Sequence, residues 1–216
     1  MIKNKVSGRL IIFEGIDHVG KSTLISLVKK AYIDNGREVI DFQFPGKEKG
    51  TLGKLIYDIH HGKVKIENIS PLSLQTLHVA AHVNLLEQKI LPLLESGYDI
   101  LLDRYWWSTI AYGIANGIAR GKLEKIVSLE KEITDLIENK VIFYITREIR
   151  ESDYEKIMEK KILNEYEMLF NNNCDVKYKI RNDDTIHKTV ENILNKLEIN
   201  WNETYRSIWC VLAVCL

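Results

Sequence analysis

Ten consecutive residues, Glu14-Gly-Ile-Asp-His-Val-Gly-Lys-Ser-Thr23, hold the densest chemistry in the chain. Gly15, Gly20, Lys21 and Ser22 fall at the spacing G-x-x-x-x-G-K-[ST]. Glycines at those points let successive backbone N–H groups turn inward on phosphate oxygens, and a helix opening directly behind them adds its positive end. Lysine in this place sets a point charge on the β and γ oxygens, and the serine hydroxyl is a ligand for Mg²⁺. Gly15, Ile16, Asp17, His18, Val19, Gly20, Lys21, Ser22 and Thr23 are therefore expected to cradle a nucleoside triphosphate. The competing reading is a turn that merely needs glycine. Both flanks favour the loop: Arg9 to Phe13 is an apolar run of β type, and Lys21 to Asn35 carries Leu24, Leu27, Val28 and Tyr32 at helical spacing.

A second group, Asp103-Arg-Tyr-Trp-Trp-Ser108-Thr-Ile-Ala-Tyr112, follows another apolar run, Asp99 to Asp103. A carboxylate and a guanidinium leaving a strand side by side make a metal and phosphate pair. Asp103 would hold Mg²⁺ directly or through water, with Ser22 as the other protein ligand. Arg104 would grip an acceptor phosphate in the bidentate manner of a planar fork.

The elements that position these residues follow from the hydrophobic pattern. Strands are predicted over Val39 to Phe44, Asp99 to Asp103, Val141 to Ile145 and Val176 to Ile180, besides the first. Helices are predicted over Leu72 to Leu94, Trp106 to Ala119, Leu123 to Ile137, Tyr154 to Phe170 and Thr185 to Leu197. In the longest of these, Leu74, Leu77, Ala81, Leu85 and Leu86 mark the apolar face, and Pro71 suits a first turn. Alternating strands and helices imply an α/β fold, a five-stranded parallel sheet with helices on both faces. Ligands of such sheets bind beyond the carboxyl ends of the strands, where the glycine loop, Phe44-Pro-Gly46, Asp103-Arg104 and Thr146-Arg147 converge.

The chain has 216 residues, which suits one domain over 1–200, and its 30 basic and 30 acidic residues cancel. No nucleic-acid or anionic-membrane surface is implied by that balance. Three cysteines, Cys174, Cys210 and Cys215, have no metal spacing and suit a reducing, cytoplasmic setting; no signal peptide is visible at Met1-Ile-Lys-Asn-Lys. Residues 201–216 form an apolar tail, Ile208 to Leu216 being shorter than the ~20 residues of a membrane span. Asn202-Glu-Thr204 is a glycosylation sequon that a cytoplasmic chain would not use.

Phe13-Glu-Gly-Ile-Asp17, Phe44-Pro45, Asp103-Arg-Tyr105, Ser108 and Ala111-Tyr112, in this order over residues 7 to 198, resemble the thymidylate kinase family. The resemblance implies a three-layer P-loop kinase fold and transfer of the ATP γ-phosphoryl group to dTMP, with ATP and Mg²⁺ bound. Asp17 then looks like the family's loop carboxylate, beside Lys21 as a catalytic group, and Tyr112 like the aromatic residue that favours deoxyribose. Lys47 is similar in place to an arginine that holds the acceptor phosphate, and Ser108 accompanies Arg104 in the acceptor site. The family also forms dimers through helices, which the apolar stretch at Leu72 to Leu94 permits.

The chain departs from the family pattern in two places. A base-stacking phenylalanine and a base-reading arginine four residues later are His78 and His82 here, still on one helix face. Neutral imidazole supplies neither a guanidinium fork nor a permanent charge. The glutamate of H-E-x-x-H is absent between them, which argues against a zinc site. The second departure is His18, where the family has an arginine beside the loop aspartate, together with a short lid near 146–156. Arg147 and Arg150 are then the candidates for the cation at the transferring group. Two other functions stay open on these departures: a deoxynucleoside (thymidine) kinase, and a nucleotide-binding protein without catalysis.

Overall fold

The computed structural model describes residues 8–148 and 157–200. Arg150, most of the expected lid and the apolar tail with Cys210, Cys215 and Asn202 lie outside the described residues.

Five parallel strands form one sheet in the order β2-β3-β1-β4-β5: β1 Leu10–Glu14, β2 Val39–Gln43, β3 Asp99–Asp103, β4 Lys140–Thr146 and β5 Val176–Arg181. β1 sits in the middle with every residue buried, which is why it reads as an unbroken apolar run. Its side chains alternate between two cores. Leu10 and Ile12 join Ile100, Leu102, Ile142, Trp107, Ile110 and Leu123 on one face. Ile11 and Phe13 join Leu24, Val28, Tyr32, Val190, Ile193 and Leu194 on the other. The second face is covered by α1 Lys21–Asp34 and α8 Ile186–Leu197, the first by α3 Pro71–Leu85, α5 Trp106–Ala115, α6 Arg120–Thr134 and α7 Ile157–Asn172. Among the described residues no helix is long and apolar enough to cross a membrane.

The expected helix over Leu72 to Leu94 is continuous but not uniform. Ser70 caps α3 by accepting from the Ser73 N–H at 3.1 Å, with Pro71 at the first helical position. A π turn, Leu86–Ile90, then leads into α4 Leu91–Glu95. The wide turn lies just ahead of Pro92, whose ring would clash with the carbonyl four residues back in an unbroken α-helix. The buried face also differs from the expected one. Leu74, Leu77 and Leu85 are only half-buried, and the buried stripe runs through Gln75, Val79, His82, Leu86 and Ile90. The helix divides its sides between the core and a large cavity, so polar Gln75 and His82 take positions that periodicity assigns to leucine.

The helix α2, Leu52–His60, is an addition to the sequence reading. Thr51 caps it by accepting from the Lys54 N–H at 3.2 Å. Leu52, Leu55, Ile56 and Ile59 carry a helical period, but Leu52 and Leu55 are exposed and only Gly53 and Ile56 are buried.

Candidate active site

Strands β1 and β3 end level, with Phe13 opposite Asp103, and β2 brings Gln43 opposite Asp103 from the other side. The loop that follows β1 is fixed by close backbone approach. Gly15 has φ 139°, and a Cβ there would lie 2.3 Å from the Ile145 carbonyl oxygen. Gly20 has φ 91°, and a Cβ there would lie 2.5 Å from the Asn182 amide nitrogen, which itself donates to the Val19 carbonyl at 2.8 Å. Only glycine meets both demands without strain. Val19 is buried in the core beneath the loop. No side chain caps α1, so its first N–H groups face the loop's cavity.

Lys21 is 6% exposed, and its ammonium donates to the carbonyls of Gly15 at 2.9 Å and Ile16 at 2.7 Å. Burial, seconded by the charge of Arg104, pulls its pKa down to about 8. Ser22 Oγ donates to Asp103 Oδ2 at 3.0 Å, while Asp103 Oδ1 is buried without a partner. A hydroxyl beside a carboxylate with an unsatisfied oxygen is a donor set that fits a hard divalent cation. Asp17, Lys21, Ser22, Thr23, Asp103 and Arg104 border this cavity, of about 370 Å³.

Arg104 stands between this cavity and a larger one of about 820 Å³, and it borders both, as does Asp17. Its backbone has φ 75°, unusual for a side chain with a Cβ. One guanidinium nitrogen donates to Ser108 Oγ at 3.1 Å, another donates to Asp17 Oδ1, and the fork lies 5.3 Å from the Tyr112 ring centre. Tyr112 closes the ring of contacts by donating its hydroxyl to Asp17 Oδ2 at 2.7 Å. Partial burial pushes the Asp17 carboxyl up, but Arg104, the Tyr112 hydroxyl and Lys21 outweigh it and hold the pKa below its ordinary value.

Beneath Arg104 lies Glu14, without exposed surface. One carboxylate oxygen accepts from the N–H groups of Tyr105 at 2.7 Å and Ser108 at 3.0 Å. The other accepts from Ser108 Oγ at 2.9 Å, Tyr166 OH at 3.0 Å and the Gly15 N–H at 3.3 Å. Burial pushes its pKa up, against the opposing pull of Arg104, Ser108 and Lys21. Tyr166 comes from α7, so one carboxylate joins three separate parts of the chain.

The larger cavity is walled by α2, α3 and α5. Lys47, His78, His82, Arg104, Ser108 and Tyr112, the residues expected around an acceptor, all border it. Lys47 is exposed, with its ammonium 5.5 Å from the Tyr57 ring centre. His78 Nε2 lies 2.9 Å from His60 Nε2, and burial together with His82 and His60 lowers the His78 pKa to about 3. His82 is 3% exposed, stacks on Phe44 at 4.0 Å and meets Glu130 at 2.9 Å.

Arg147 is exposed just after β4 and borders neither cavity. Sequence reasoning passed over Glu130, Tyr166, Asn182 and His60. The first three lie in separate helices or strand ends and reach the site through tertiary packing, and only α2, readable from its period, would have pointed to His60.

The family described as Thymidylate kinase matches residues 13–199. A thymidylate kinase of Chlorobaculum parvum is 31% identical over 159 residues, covering 71% of this chain and 68% of that protein. One from a Thermoanaerobacter species is 34% identical over 141 residues, covering 65% of this chain and 66% of that protein. The crystal structure of thymidylate kinase from Ehrlichia chaffeensis superposes with a TM-score of 0.68 at 21% identity, over 88% of this chain and 99% of that one, a likeness of fold. By a family match that runs from β1 past α8, and by relatives above 30% identity, this chain belongs to the thymidylate kinase family.

Proposed function

We propose that the chain transfers the γ-phosphoryl group of ATP to dTMP, giving ADP and dTDP. The observation that carries this reading is the pair of cavities sharing Asp17 and Arg104: one built as a phosphate cradle, the other large enough for a nucleotide. In this reading a phosphate oxygen of the acceptor attacks the γ phosphorus, and the bond to the β–γ bridging oxygen breaks with its electron pair leaving on ADP. The protein's work is alignment and neutralisation of charge.

Lys21 gives up its two carbonyl partners and turns its charge to the β and γ oxygens, while the loop N–H groups from Gly15 to Thr23 hold the remaining phosphate oxygens. Arg104 grips the acceptor phosphate in place of Asp17 and Ser108, and Asp17 is then free to face the acceptor's sugar. Ser22 and Asp103 would hold Mg²⁺, which when bound neutralises phosphate charge. Tyr112, packed along Arg104, walls the sugar; Lys47, His78 and His82 complete the acceptor side. Arg147, beyond β4, and Arg150 are the further cations we assign to the transferring group, since His18 occupies the loop position next to Asp17. We place the reaction in the cytoplasm.

Purified protein with ATP and Mg²⁺ is to be assayed against the deoxynucleoside monophosphates and thymidine. The expected product is dTDP from dTMP. No diphosphate from any monophosphate overturns the reading, and faster turnover of thymidine than of dTMP replaces it with a nucleoside kinase.

A further inference from the structure

Arg104 has to change partners before an acceptor phosphate can take its fork, and a residue of α7 stands where it would leave a gap. Arg104 Nη1 donates to Ser108 Oγ at 3.1 Å. A guanidinium can only donate, so the serine oxygen accepts there and gives its own hydrogen to Glu14 Oε2 at 2.9 Å. On the other side of that serine lies the Tyr166 hydroxyl, 2.8 Å from Ser108 Oγ and 3.0 Å from Glu14 Oε2. The three oxygens form a closed triangle, in which the phenol has one hydrogen and two acceptors within reach.

Tyr166 is held so that only this hydrogen is free to turn. Its side chain has no exposed surface, and it borders neither cavity of the site. Its ring stacks on Tyr144 with centres 5.7 Å apart and planes 13° from parallel, which fixes the oxygen and leaves rotation about the C–O bond. Glu14 does not depend on that hydrogen. Its Oε1 accepts the N–H groups of Tyr105 and Ser108, and its Oε2 accepts the Ser108 hydroxyl and the Gly15 N–H.

We infer that Tyr166 is a positioning residue that sets how readily Arg104 is released to the acceptor phosphate. When the guanidinium leaves Ser108, the Tyr166 hydrogen turns from Glu14 to Ser108 Oγ, and the oxygen just vacated keeps a donor. Ser108 is half-buried and faces the larger cavity, so an acceptor that fills the cavity also shuts out the water that could replace Arg104. An acceptor left unsatisfied in such a place carries a desolvation penalty. Without the phenol hydroxyl, Arg104 is the one remaining side-chain donor at Ser108 Oγ among the described residues, and it is held there more tightly against the phosphate. The inference rests on the monophosphate-kinase reading, which is what brings a phosphate to Arg104.

Binding of dTMP against thymidine tests it, because thymidine has no phosphate and leaves Arg104 on Ser108. Tyr166→Phe is expected to weaken dTMP by about three- to tenfold, the size of one hydrogen bond, and to leave thymidine within about twofold, both read as Kd from NMR titration. A fault of packing alone would weaken the two ligands alike. Ser108→Ala removes the oxygen that Arg104 and Tyr166 share, so adding Tyr166→Phe to it should change the ratio of the two Kd values by no more than about twofold. In wild-type protein the ¹³Cζ signal of Tyr166 should move on addition of dTMP and stay in place with thymidine. No binding of dTMP to the wild type, dTMP binding unchanged by Tyr166→Phe, thymidine weakened as much as dTMP, a full effect persisting in Ser108→Ala, or a Tyr166 signal that dTMP does not move would each overturn the inference. Should Tyr166→Phe not fold, the wild-type signal decides. Binding and ring signals need no turnover, so failure of the kinase reading shows as absent diphosphate and is distinct from failure here.

Discussion

Lys21 is a cation held inside the protein by two carbonyl oxygens, which phosphate replaces in the proposed reaction. Burial lowers its pKa to about 8, so the ammonium is charged through neutral pH and is lost early in the alkaline range. Above about 8 the free protein must take up a proton to bind ATP in the charged form, and affinity should fall by up to about tenfold per pH unit. Calorimetry of ATP binding in buffers of different ionisation enthalpy checks this: proton uptake should appear above pH 8 and be absent in Lys21→Ala. Stability of the ligand-free protein follows the opposite course. Between the folded value of about 8 and the ordinary 10.5, the unfolded chain binds the extra proton, so the lysine's contribution to stability rises with pH across that window. In the proposed reaction Arg104 is the matching residue on the acceptor side. Arg104→Ala should lower kcat/KM for dTMP by about 10³ or more, as loss of a phosphate-binding arginine does, while the Kd for ATP stays within about threefold. If ATP binding collapses while dTMP binding stays, the residue belongs to the donor site instead.

The elements meet at Glu14, the last residue of β1, which receives the N–H of Tyr105 from the β3–α5 turn, that of Ser108 from the first turn of α5, and a hydroxyl from α7. Glu14→Ala leaves those buried donors without an acceptor and should destabilise the fold by roughly 3 to 5 kcal/mol, read as a drop in the urea midpoint. Tyr166→Phe removes one of the donors and should cost only about 1 kcal/mol. The three inner strands β1, β3 and β4 were legible because strands buried on both faces are short apolar runs, and the edge strands β2 and β5 because β-branched and aromatic residues alternate there with polar ones; all five are found within a residue or two of where the pattern places them. The phosphate loop and Asp103-Arg104 were legible because each group is local, and strand ends deliver both to one edge. What eluded the sequence is whatever depends on two distant elements touching. Glu130 reads as one more charge on the polar side of α6, and Tyr166 as an ordinary core residue. The face of α3 misled for the same reason: leucines at helical spacing mark the core unless a cavity takes one side of the helix, and no local pattern announces a cavity.

At the scale of the molecule, the two cavities proposed for donor and acceptor lie side by side over the carboxyl edge of one sheet, and the ring of contacts among Asp17, Arg104 and Tyr112 stands where they meet. Each ligand binds only the folded state and so raises the unfolding free energy by RT ln(1 + [L]/Kd), about 2.7 kcal/mol at a hundredfold excess over Kd. For a domain of this size that corresponds to a rise in Tm of roughly 5 to 10 °C. ATP with Mg²⁺ and dTMP should each produce such a shift when added alone, since each cavity has walls of its own besides the Asp17, Gln43 and Arg104 that they share. Lys21→Ala should erase the shift from ATP and keep the one from dTMP; Arg104→Ala should do the reverse. A variant that erases both would mean that the shared contacts hold the two cavities in one shape, so that neither site exists without the other. A scanning calorimetry series over both ligands and both variants separates these outcomes without any assay of turnover.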